Sequence, residues 1–293
     1  MISRRAFVQG ASALLLGGVG LAGYAFGVEP HARLRIARYR VTPDRWPAGL
    51  QLRLAAIADL HACEPWVGVQ RIRQIVDYTN SLGADTVLLL GDYVAGHRWV
   101  TGSVHSGVWA SELGRLRAPL GVHAVLGNHD WWDDLGAQRT GRGPVYGRRA
   151  LERAGIPVYE NDVVRLDKAG YPFWLAGLGD QWAFGSTRGL DDLSGTLAKV
   201  TDGAPVVLLA HEPDIFPRVP ERVSLTLCGH THGGQVRLFG YSPAVPSRYG
   251  NRYAYGHIVE NSRHLIVSGG IGCTAIPLRF GVPPEIVLAD VAA

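Results

Sequence analysis

Metal-capable side chains follow five separate apolar runs of this sequence, close to the end of each run. They are Asp59, His61, Asp92, Asn128, His211, His230 and His232. Imidazole nitrogens combined with carboxylate and amide oxygens, without thiolate, suit manganese, iron, zinc or cobalt ions. A catalytic zinc typically takes about three protein ligands, so seven candidates indicate two ions that share one carboxylate. Two ions about 3.5–4 Å apart can hold both the attacking and the leaving oxygen of a phosphoryl displacement, which predicts phosphoester chemistry.

Each candidate also has an ordinary structural explanation when it is taken alone. A histidine that follows an apolar strand, such as His211, is often a hydrogen-bonded structural residue. Gly91-Asp92 and Gly127-Asn128 are common turn sequences. Five of the 11 histidines nevertheless fall within these motifs, which favours one shared metal site. Asp130 stays open between a residue that orients a ligand and a residue that starts a helix.

The apolar runs predict how the chain positions these residues. They cover residues 52–58, 86–90, 122–126, 206–210 and 225–228. Their Val, Leu and Ile content and their glycine boundaries indicate buried strands, and an apolar face over 69–82 indicates a helix. Alternating strands and helices form a largely parallel sheet, and ligands gather beyond the carboxyl ends of its strands.

Further strand candidates are more numerous than one sheet needs. They cover residues 163–166, 173–177, 265–268 and 286–289. We therefore expect an α/β fold in which two packed, mixed β-sheets are flanked by helices. No repeat or long linker divides the chain, so one domain over residues 50–293 is expected to follow an N-terminal segment, residues 1–28.

Five motifs give the sequence a family resemblance. In chain order they are Asp-Leu-His (59–61), Gly-Asp-Tyr-Val (91–94), Gly-Asn-His-Asp (127–130), an isolated histidine (211) and Gly-His-Thr-His-Gly-Gly-Gln (229–235). In this order they resemble the calcineurin-like metallophosphoesterase superfamily, and the resemblance runs from about residue 50 to residue 293. It implies the superfamily's sandwich fold and a metal-dependent phosphoric ester hydrolase with a dinuclear metal centre.

The resemblance also implies a role for each matching residue. The first metal would be held by Asp59, His61, Asp92 and His232, and the second by Asp92, Asn128, His211 and His230. His129 would face the substrate phosphate, stabilise the transition state and protonate the leaving oxygen. A hydroxide that bridges the metals would be the nucleophile.

Departures from the superfamily pattern narrow the substrate. The serine/threonine phosphatases carry an Asp-Arg-Gly sequence after the Gly-Asp motif, but the segment 91–96 lacks it, which argues against a phosphoprotein. The sequence is more similar to a bacterial branch of membrane-associated, often twin-arginine-exported phosphoesterases. That branch includes enzymes resembling UDP-2,3-diacylglucosamine pyrophosphatase of lipid A synthesis. A small-molecule or lipid-linked phosphodiester, phosphomonoester or pyrophosphate is therefore expected.

Tryptophans follow several of the predicted ligand-bearing strands. Trp66, Trp99, Trp131 and Trp132 lie in these loops, where they would contact an acyl chain, a nucleobase or a membrane interface, or only pack the loops together. Two other functions stay open: a nuclease of the same superfamily, and a non-catalytic metal-binding scaffold. The net charge of +4 without a clustered basic stripe argues against a nucleic-acid partner.

The N-terminal segment has the composition of a targeting signal. Ser3-Arg4-Arg5-Ala6-Phe7 precedes a mildly apolar run that carries no charge as far as Val28. This pattern indicates recognition by the twin-arginine translocation machinery and export to the periplasm or cell envelope. Residues 23–25 form a weak small-x-small cleavage site, so retention as a membrane anchor is an alternative, with the domain outside or facing the cytoplasm.

Overall fold

The computed structural model describes residues 4–293, except for the side chains at positions 6–8, 11 and 13. Part of the predicted twin-arginine motif, namely Ser3 and the side chain of Phe7, therefore lies outside the described residues. Within residues 4–293, no helix combines the length and the apolar character needed to cross a membrane.

Two β-sheets form the centre of the fold. The strands are β1 Arg35–Val41, β2 Leu52–Ile57, β3 Cys63–Glu64, β4 Thr86–Leu89, β5 Gly102–Ser103, β6 Val122–Ala124, β7 Asp162–Lys168, β8 Tyr171–Gly177, β9 Val206–Leu209, β10 Val223–Cys228, β11 Gly256–Glu260, β12 Arg263–Val267 and β13 Glu285–Val291. The first sheet has the order β1-β13-β2-β4-β6, and the second β11-β12-β10-β9-β8-β7. Both sheets are mixed, because β2·β4 and β9·β10 are parallel whereas β13·β2 and β7·β8 are antiparallel.

The described residues form eight α-helices, and the six that follow β3 contribute apolar side chains to the cores on the outer faces of the sheets. The eight helices are α1 Arg4–Gly23, α2 Glu29–Ala32, α3 Val69–Asn80, α4 Ser106–Leu113, α5 Asn128–Trp132, α6 Leu135–Thr140, α7 Tyr146–Arg153 and α8 Leu193–Ala198. In α3 the apolar side chains recur at helical spacing, so Ile72, Ile75 and Val76 are buried on one face. This face packs in one cluster with Trp109 of α4 and Leu151 of α7.

The main core lies between the two sheets. Leu54 and Leu88 of the first sheet share an apolar cluster with Leu209 and Leu227 of the second. Successive residues of a strand point to opposite faces of the sheet. The central strands are covered by the other sheet on one face and by helices on the other, so they contain few polar residues. The predicted α/β architecture of two packed, mixed sheets flanked by helices is confirmed.

One strand of the first sheet precedes the region of family resemblance. β1 pairs in parallel with β13 over its whole length, from Arg35 beside Glu285 to Val41 beside Val291. Both guanidinium contacts of Arg35 to Glu285 are short, 2.9 and 2.7 Å. The first sheet therefore includes residues that precede residue 50, where the domain predicted from the resemblance begins.

The segment after α1 packs against the C-terminal part of the chain. Residues Tyr24–Val28 form a π-helical turn in which Ala25 is buried and its carbonyl oxygen accepts a 3.0 Å hydrogen bond from Arg279 N. The Tyr24 ring meets the Phe280 ring edge-on at 6.0 Å between centroids. These contacts place the end of the N-terminal helix beside the segment 276–280.

Candidate metal centre

The seven candidate ligands meet at the carboxyl ends of neighbouring strands. The first sheet supplies Asp59 and His61 after β2, Asp92 after β4 and Asn128 after β6, and the second supplies His211 after β9 and His230 and His232 after β10. All seven side chains are buried. The two sheets thus contribute to one site at the edge where their parallel strands end, as the sequence predicts.

The ligands divide into two groups. In the first, His232 Nε2 lies 3.7 Å from Asp59 Oδ1 and 3.2 Å from His61 Nε2. In the second, Asp92, His211 and His230 have ligand atoms within 4.8 Å of one another. Asn128 belongs beside the second group, because its Oδ1 lies 2.9 Å from His230 Nδ1. The family resemblance implies two sets of four ligands that share Asp92, and each of these groups falls within one of those sets.

Asp92 lies between the two groups. Its Oδ2 is 3.6 Å from His61 Nε2 in the first group and 3.2 Å from His211 Nε2 in the second. Its other oxygen, Oδ1, accepts a 2.8 Å hydrogen bond from the backbone N–H of His129. One oxygen therefore faces both groups while the other fixes the orientation of the carboxylate.

The backbone of the ligand loops is held in an uncommon conformation. Among the described residues, 12 non-glycine residues have positive φ, and five of them are Asp59, His61, Asp92, His230 and His232. Such residues cost about 1–3 kcal/mol each when strained, and they concentrate at functional sites. The sharp turns after the strands direct consecutive polar side chains towards the same centre.

Hydrogen bonds fix the ring orientation of two histidines. His61 Nδ1 lies 2.8 Å from Val94 O, and His211 Nδ1 lies 2.7 Å from Leu90 O. A carbonyl oxygen only accepts, so each Nδ1 carries a proton and each Nε2 faces the centre. The neutral His61 ring presents a lone pair there. At His211 burial alone would lower the pKa, but the neighbouring Asp92 carboxylate outweighs it and raises the pKa well above its ordinary value, so a bound cation would displace the Nε2 proton.

His230 Nε2 and Asp59 Oδ2 are buried without a hydrogen-bond partner. Both atoms could coordinate a metal ion through a lone pair, so the residues present fit a metal site.

The electrostatics of the site also favour cations. Burial lowers the pKa of His61 to about 3 and that of His230 to about 3, so both rings are neutral at pH 7, as metal ligation requires. Burial raises the pKa of Asp59 to about 7. Burial would also raise the pKa of Asp92, but His211 and His129 outweigh it and hold that pKa well below its usual range. A cation would stabilise both carboxylates in the ionised form.

His129 differs from the other histidines of the site because its side chain is only half-buried. Its ring lies edge-on to that of His61, 5.0 Å between centroids, and its Nε2 is 3.3 Å from Thr274 Oγ1. The indole of Trp132 covers another side at 5.1 Å. His129 is therefore positioned to reach both the metal centre and a molecule entering from solvent.

Asp130 connects the loop of Asp92 to helix α5. Its Oδ2 accepts hydrogen bonds from the N–H groups of Asp92 and Gly127, both 2.9 Å, and its Oδ1 accepts one from Tyr93, also 2.9 Å. The carboxylate thus orients the Asp92 loop from within the first turn of α5. Both interpretations left open by the sequence apply, because Asp130 orients the Asp92 loop and also caps the start of α5 through the Gly127 N–H group.

Five residues at the site are not among the candidates from the sequence. Two of them, Asp180 and Glu212, are buried carboxylates with oxygens within 4.8 Å of a His211 nitrogen.

The other three additional residues are Arg279, Trp182 and Thr274. Arg279 is fully buried, and its Nη2 lies 3.2 Å from Nδ1 of His232. The Trp182 indole meets the His230 ring edge-on at 4.6 Å, and Thr274 contacts His129. All five additional residues lie outside the five sequence motifs.

The predicted aromatic rim is only partly exposed. Trp99 and Trp132 are exposed, and Trp66 is half-buried, stacked on His31 at 4.6 Å. Trp131 instead lies in the apolar core with 2% exposure, so the loop-packing interpretation is the correct one for that residue. The three cysteines are buried and free.

Comparison with known proteins agrees with this geometry. Residues 52–234 match the calcineurin-like phosphoesterase family. The chain belongs to this family. It is 30% identical to the uncharacterised metallophosphoesterase YkuE of Bacillus subtilis (strain 168), over 98% of this chain and 96% of YkuE. It is 31% identical to the phosphodiesterase YaeI of Escherichia coli (strain K12), over 99% of either chain.

A solved structure, the NAD nucleotidase of Haemophilus influenzae, is 15% identical with a TM-score of 0.47, over 77% of this chain and 46% of that one. Family membership and the cluster of histidine and aspartate side chains identify the protein as a metal-dependent phosphoester hydrolase.

Proposed function

We propose that this member of the calcineurin-like phosphoesterase family hydrolyses a phosphodiester or pyrophosphate at two metal ions that share Asp92. The position of Asp92 carries the proposal, since its Oδ2 lies 3.6 Å from His61 Nε2 and 3.2 Å from His211 Nε2. A carboxylate oxygen between two separate ligand groups is suited to bridge two cations. The ligand set of imidazole and oxygen donors fits manganese, iron, zinc or cobalt.

When bound, two such ions would lower the pKa of a nucleophilic water and neutralise charge on the phosphoryl group. The residues supply the remaining functions. The half-buried His129 would donate a hydrogen bond to a phosphoryl oxygen or a proton to the leaving oxygen, and Thr274 Oγ1, 3.3 Å from its Nε2, would hold the ring in place. Asp130 would keep the Asp92 loop fixed through its three backbone hydrogen bonds.

A diester or pyrophosphate is proposed in preference to a phosphoprotein or a nucleic acid. The printed name of the relative YaeI, a phosphodiesterase, supports the diester. The absence of Asp-Arg-Gly after Gly91-Asp92 argues against a phosphoprotein. We further propose that the substrate is lipid-linked, as in the enzymes resembling UDP-2,3-diacylglucosamine pyrophosphatase, with the exposed Trp99 and Trp132 at the rim of the site.

The proposed location is the cell envelope, reached through the twin-arginine machinery. Arg4 and Arg5 are exposed at the start of α1, and they precede the mildly apolar sequence of that helix. Export of a folded chain would allow the metals to be loaded before translocation.

Metal analysis combined with a hydrolysis assay tests the dinuclear site. The purified wild type is expected to hold two metal equivalents and to hydrolyse bis-p-nitrophenyl phosphate. His232→Ala, from the first ligand group, and His211→Ala, from the second, should each lose one equivalent and most of the activity. His257→Ala, a histidine outside both groups, serves as the matched control and should retain both. A wild type with a single equivalent at full activity would contradict the proposal.

A further inference from the structure

An apolar cavity adjoins the candidate metal centre. Its volume is about 610 Å³, and its apolar lining comes from Val236, Pro243, Val245, Pro246, Ile276 and Leu278. This volume lies within the range of about 300–1,000 Å³ that is usual for small-molecule sites. None of the lining residues, all of which belong to the described chain, carries a charge.

The cavity shares a wall with the reactive groups. Thr231, between His230 and His232 in the chain, and Thr274, whose Oγ1 is 3.3 Å from His129 Nε2, both line it. A substrate whose phosphate faces His129 would therefore have one of its substituents at the cavity entrance. This adjacency makes the cavity part of the same substrate site.

The polar side chains of the lining are already engaged within the protein. Thr231 Oγ1 donates to Ala254 O at 2.7 Å, and Gln235 Oε1 accepts from Thr274 N at 2.7 Å. Gln235 Nε2 donates to Ile276 O at 3.2 Å. Since these groups are occupied, the lining favours an apolar substituent over a sugar or a base that needs hydrogen bonds.

The apolar surface continues from this cavity towards the N-terminal helix. Ile276 also lines a neighbouring groove of about 730 Å³, together with Trp66, Trp99 and Phe26. Trp99 is 65% exposed and Phe26 44% exposed. Phe26 belongs to the turn that follows α1. The cavity and the groove thus share Ile276, and the groove, whose lining includes one charged residue, Arg98, extends to the end of the predicted signal segment.

We propose that the cavity lined by Val245 and Ile276 binds a hydrocarbon chain of the substrate, which is therefore a lipid phosphoester. This inference rests on the proposed function, because it places the chain beside a phosphoryl group that reacts at the metal centre. The chain belongs to the ester group that stays on phosphorus, while the other ester oxygen leaves.

Alkyl p-nitrophenyl phosphates of increasing chain length test this assignment. Water adds to phosphorus, the bond to the p-nitrophenyl oxygen breaks, and p-nitrophenol and the alkyl phosphate are released. For the wild type, KM should fall by about tenfold or more from the methyl to the hexyl ester at similar kcat. Each fully buried methylene group increases affinity roughly fourfold. Partial burial of the five methylene groups that distinguish the hexyl from the methyl ester is therefore enough for this decrease in KM. All esters are used below their micellar concentrations.

Ala244→Phe is the decisive variant, because Ala244 is an exposed residue that lines the cavity and its replacement would fill the space. In this variant the KM for the hexyl ester should rise to about that for the methyl ester, so that the gain with chain length is lost. Ala198→Phe, also at an exposed alanine but outside the lining, should keep that gain. Equal KM for methyl and hexyl esters in the wild type would overturn the inference. So would a thymidine p-nitrophenyl ester that outperforms the hexyl ester and is lost in Ala244→Phe.

Binding of decylphosphonate and methylphosphonate, measured by calorimetry on metal-loaded protein, separates the two proposals. Tighter binding of decylphosphonate that Ala244→Phe abolishes supports the cavity assignment even if no ester is hydrolysed, a result that would contradict the proposed function alone. Equal binding of both phosphonates would overturn the cavity assignment, whatever the hydrolysis assay shows.

Discussion

Asp92 lies between the two ligand groups, with its Oδ2 3.6 Å from His61 Nε2 and 3.2 Å from His211 Nε2. Asp92→Asn replaces a charged oxygen by an amide that bridges two cations poorly. We expect loss of nearly all activity and of at least one metal equivalent, measured by elemental analysis of the purified variant and by p-nitrophenol release. A variant with two metals and near-normal turnover would show that Asp92 does not bridge.

His129 should give a different result, because it is half-buried and faces the entrance of the site. In His129→Ala the metal content should be unchanged, while kcat falls by about 100-fold or more, the scale expected for a positioned acid or charge stabiliser. The comparison uses the same two measurements as for Asp92. If metal is lost together with activity, His129 is a ligand.

The loop after β12 approaches Asp59 so closely that position 270 requires glycine. Gly270 has φ of +69°, and a Cβ added there would lie 2.7 Å from Asp59 Cβ. Gly270→Ala should therefore displace Asp59, with lower metal affinity and a lower free energy of unfolding in urea.

Gly83 provides the matched control for this substitution. It has a similar φ of +62°, but a Cβ there meets no atom within 4 Å. Gly83→Ala should reduce the free energy of unfolding by only the cost of the left-handed conformation, about 1 kcal/mol, and keep full metal content. If both variants retain metal equally, contact with Asp59 is not what constrains Gly270.

The same elements show what the sequence could predict. Short runs of Val, Leu and Ile between glycines define β2, β4, β6, β9 and β10, because burial on both faces leaves a continuous apolar signal. The polar residues at their ends could then be assigned to one edge. The local apolar pattern and the geometry of parallel strands are therefore sufficient to predict where the ligands lie.

Other features depend on contacts between distant parts of the chain. β1 mixes three arginines with apolar residues in no strict alternation, and its partner β13 lies 250 positions away, so its pairing leaves no clear local pattern. Arg279 and Trp182 reach the histidines only because loops from the second half of the chain fold over the strand ends. No spacing rule applies to such residues.

For the molecule as a whole, we propose that the first helix determines the location of the protein. Arg4→Lys with Arg5→Lys keeps both charges but removes the guanidinium pair, and the two side chains differ in geometry and hydrogen bonding. We expect a folded, metal-loaded and active enzyme that stays in the cytoplasm. Protease accessibility of the domain in cells stripped of their outer layers, wild type against double variant, measures this.

Equal export of the double variant and the wild type would refute the twin-arginine prediction. A wild type that is never accessible to protease would instead indicate an anchor with the domain facing the cytoplasm. In that case a cytoplasmic lipid precursor becomes the better candidate substrate.

The supply of ligands by both sheets has a thermodynamic consequence. Asp59, His61, Asp92 and Asn128 come from one layer and His211, His230 and His232 from the other, so bound ions act as a reversible crosslink across the sandwich. A ligand that binds only the native state at 1,000 times its dissociation constant stabilises it by about 4 kcal/mol. The melting temperature should therefore rise with free metal concentration and fall on chelation, and in His211→Ala this dependence should be weaker. Thermal unfolding curves at fixed metal activities would measure how strongly metal occupancy holds the layers together.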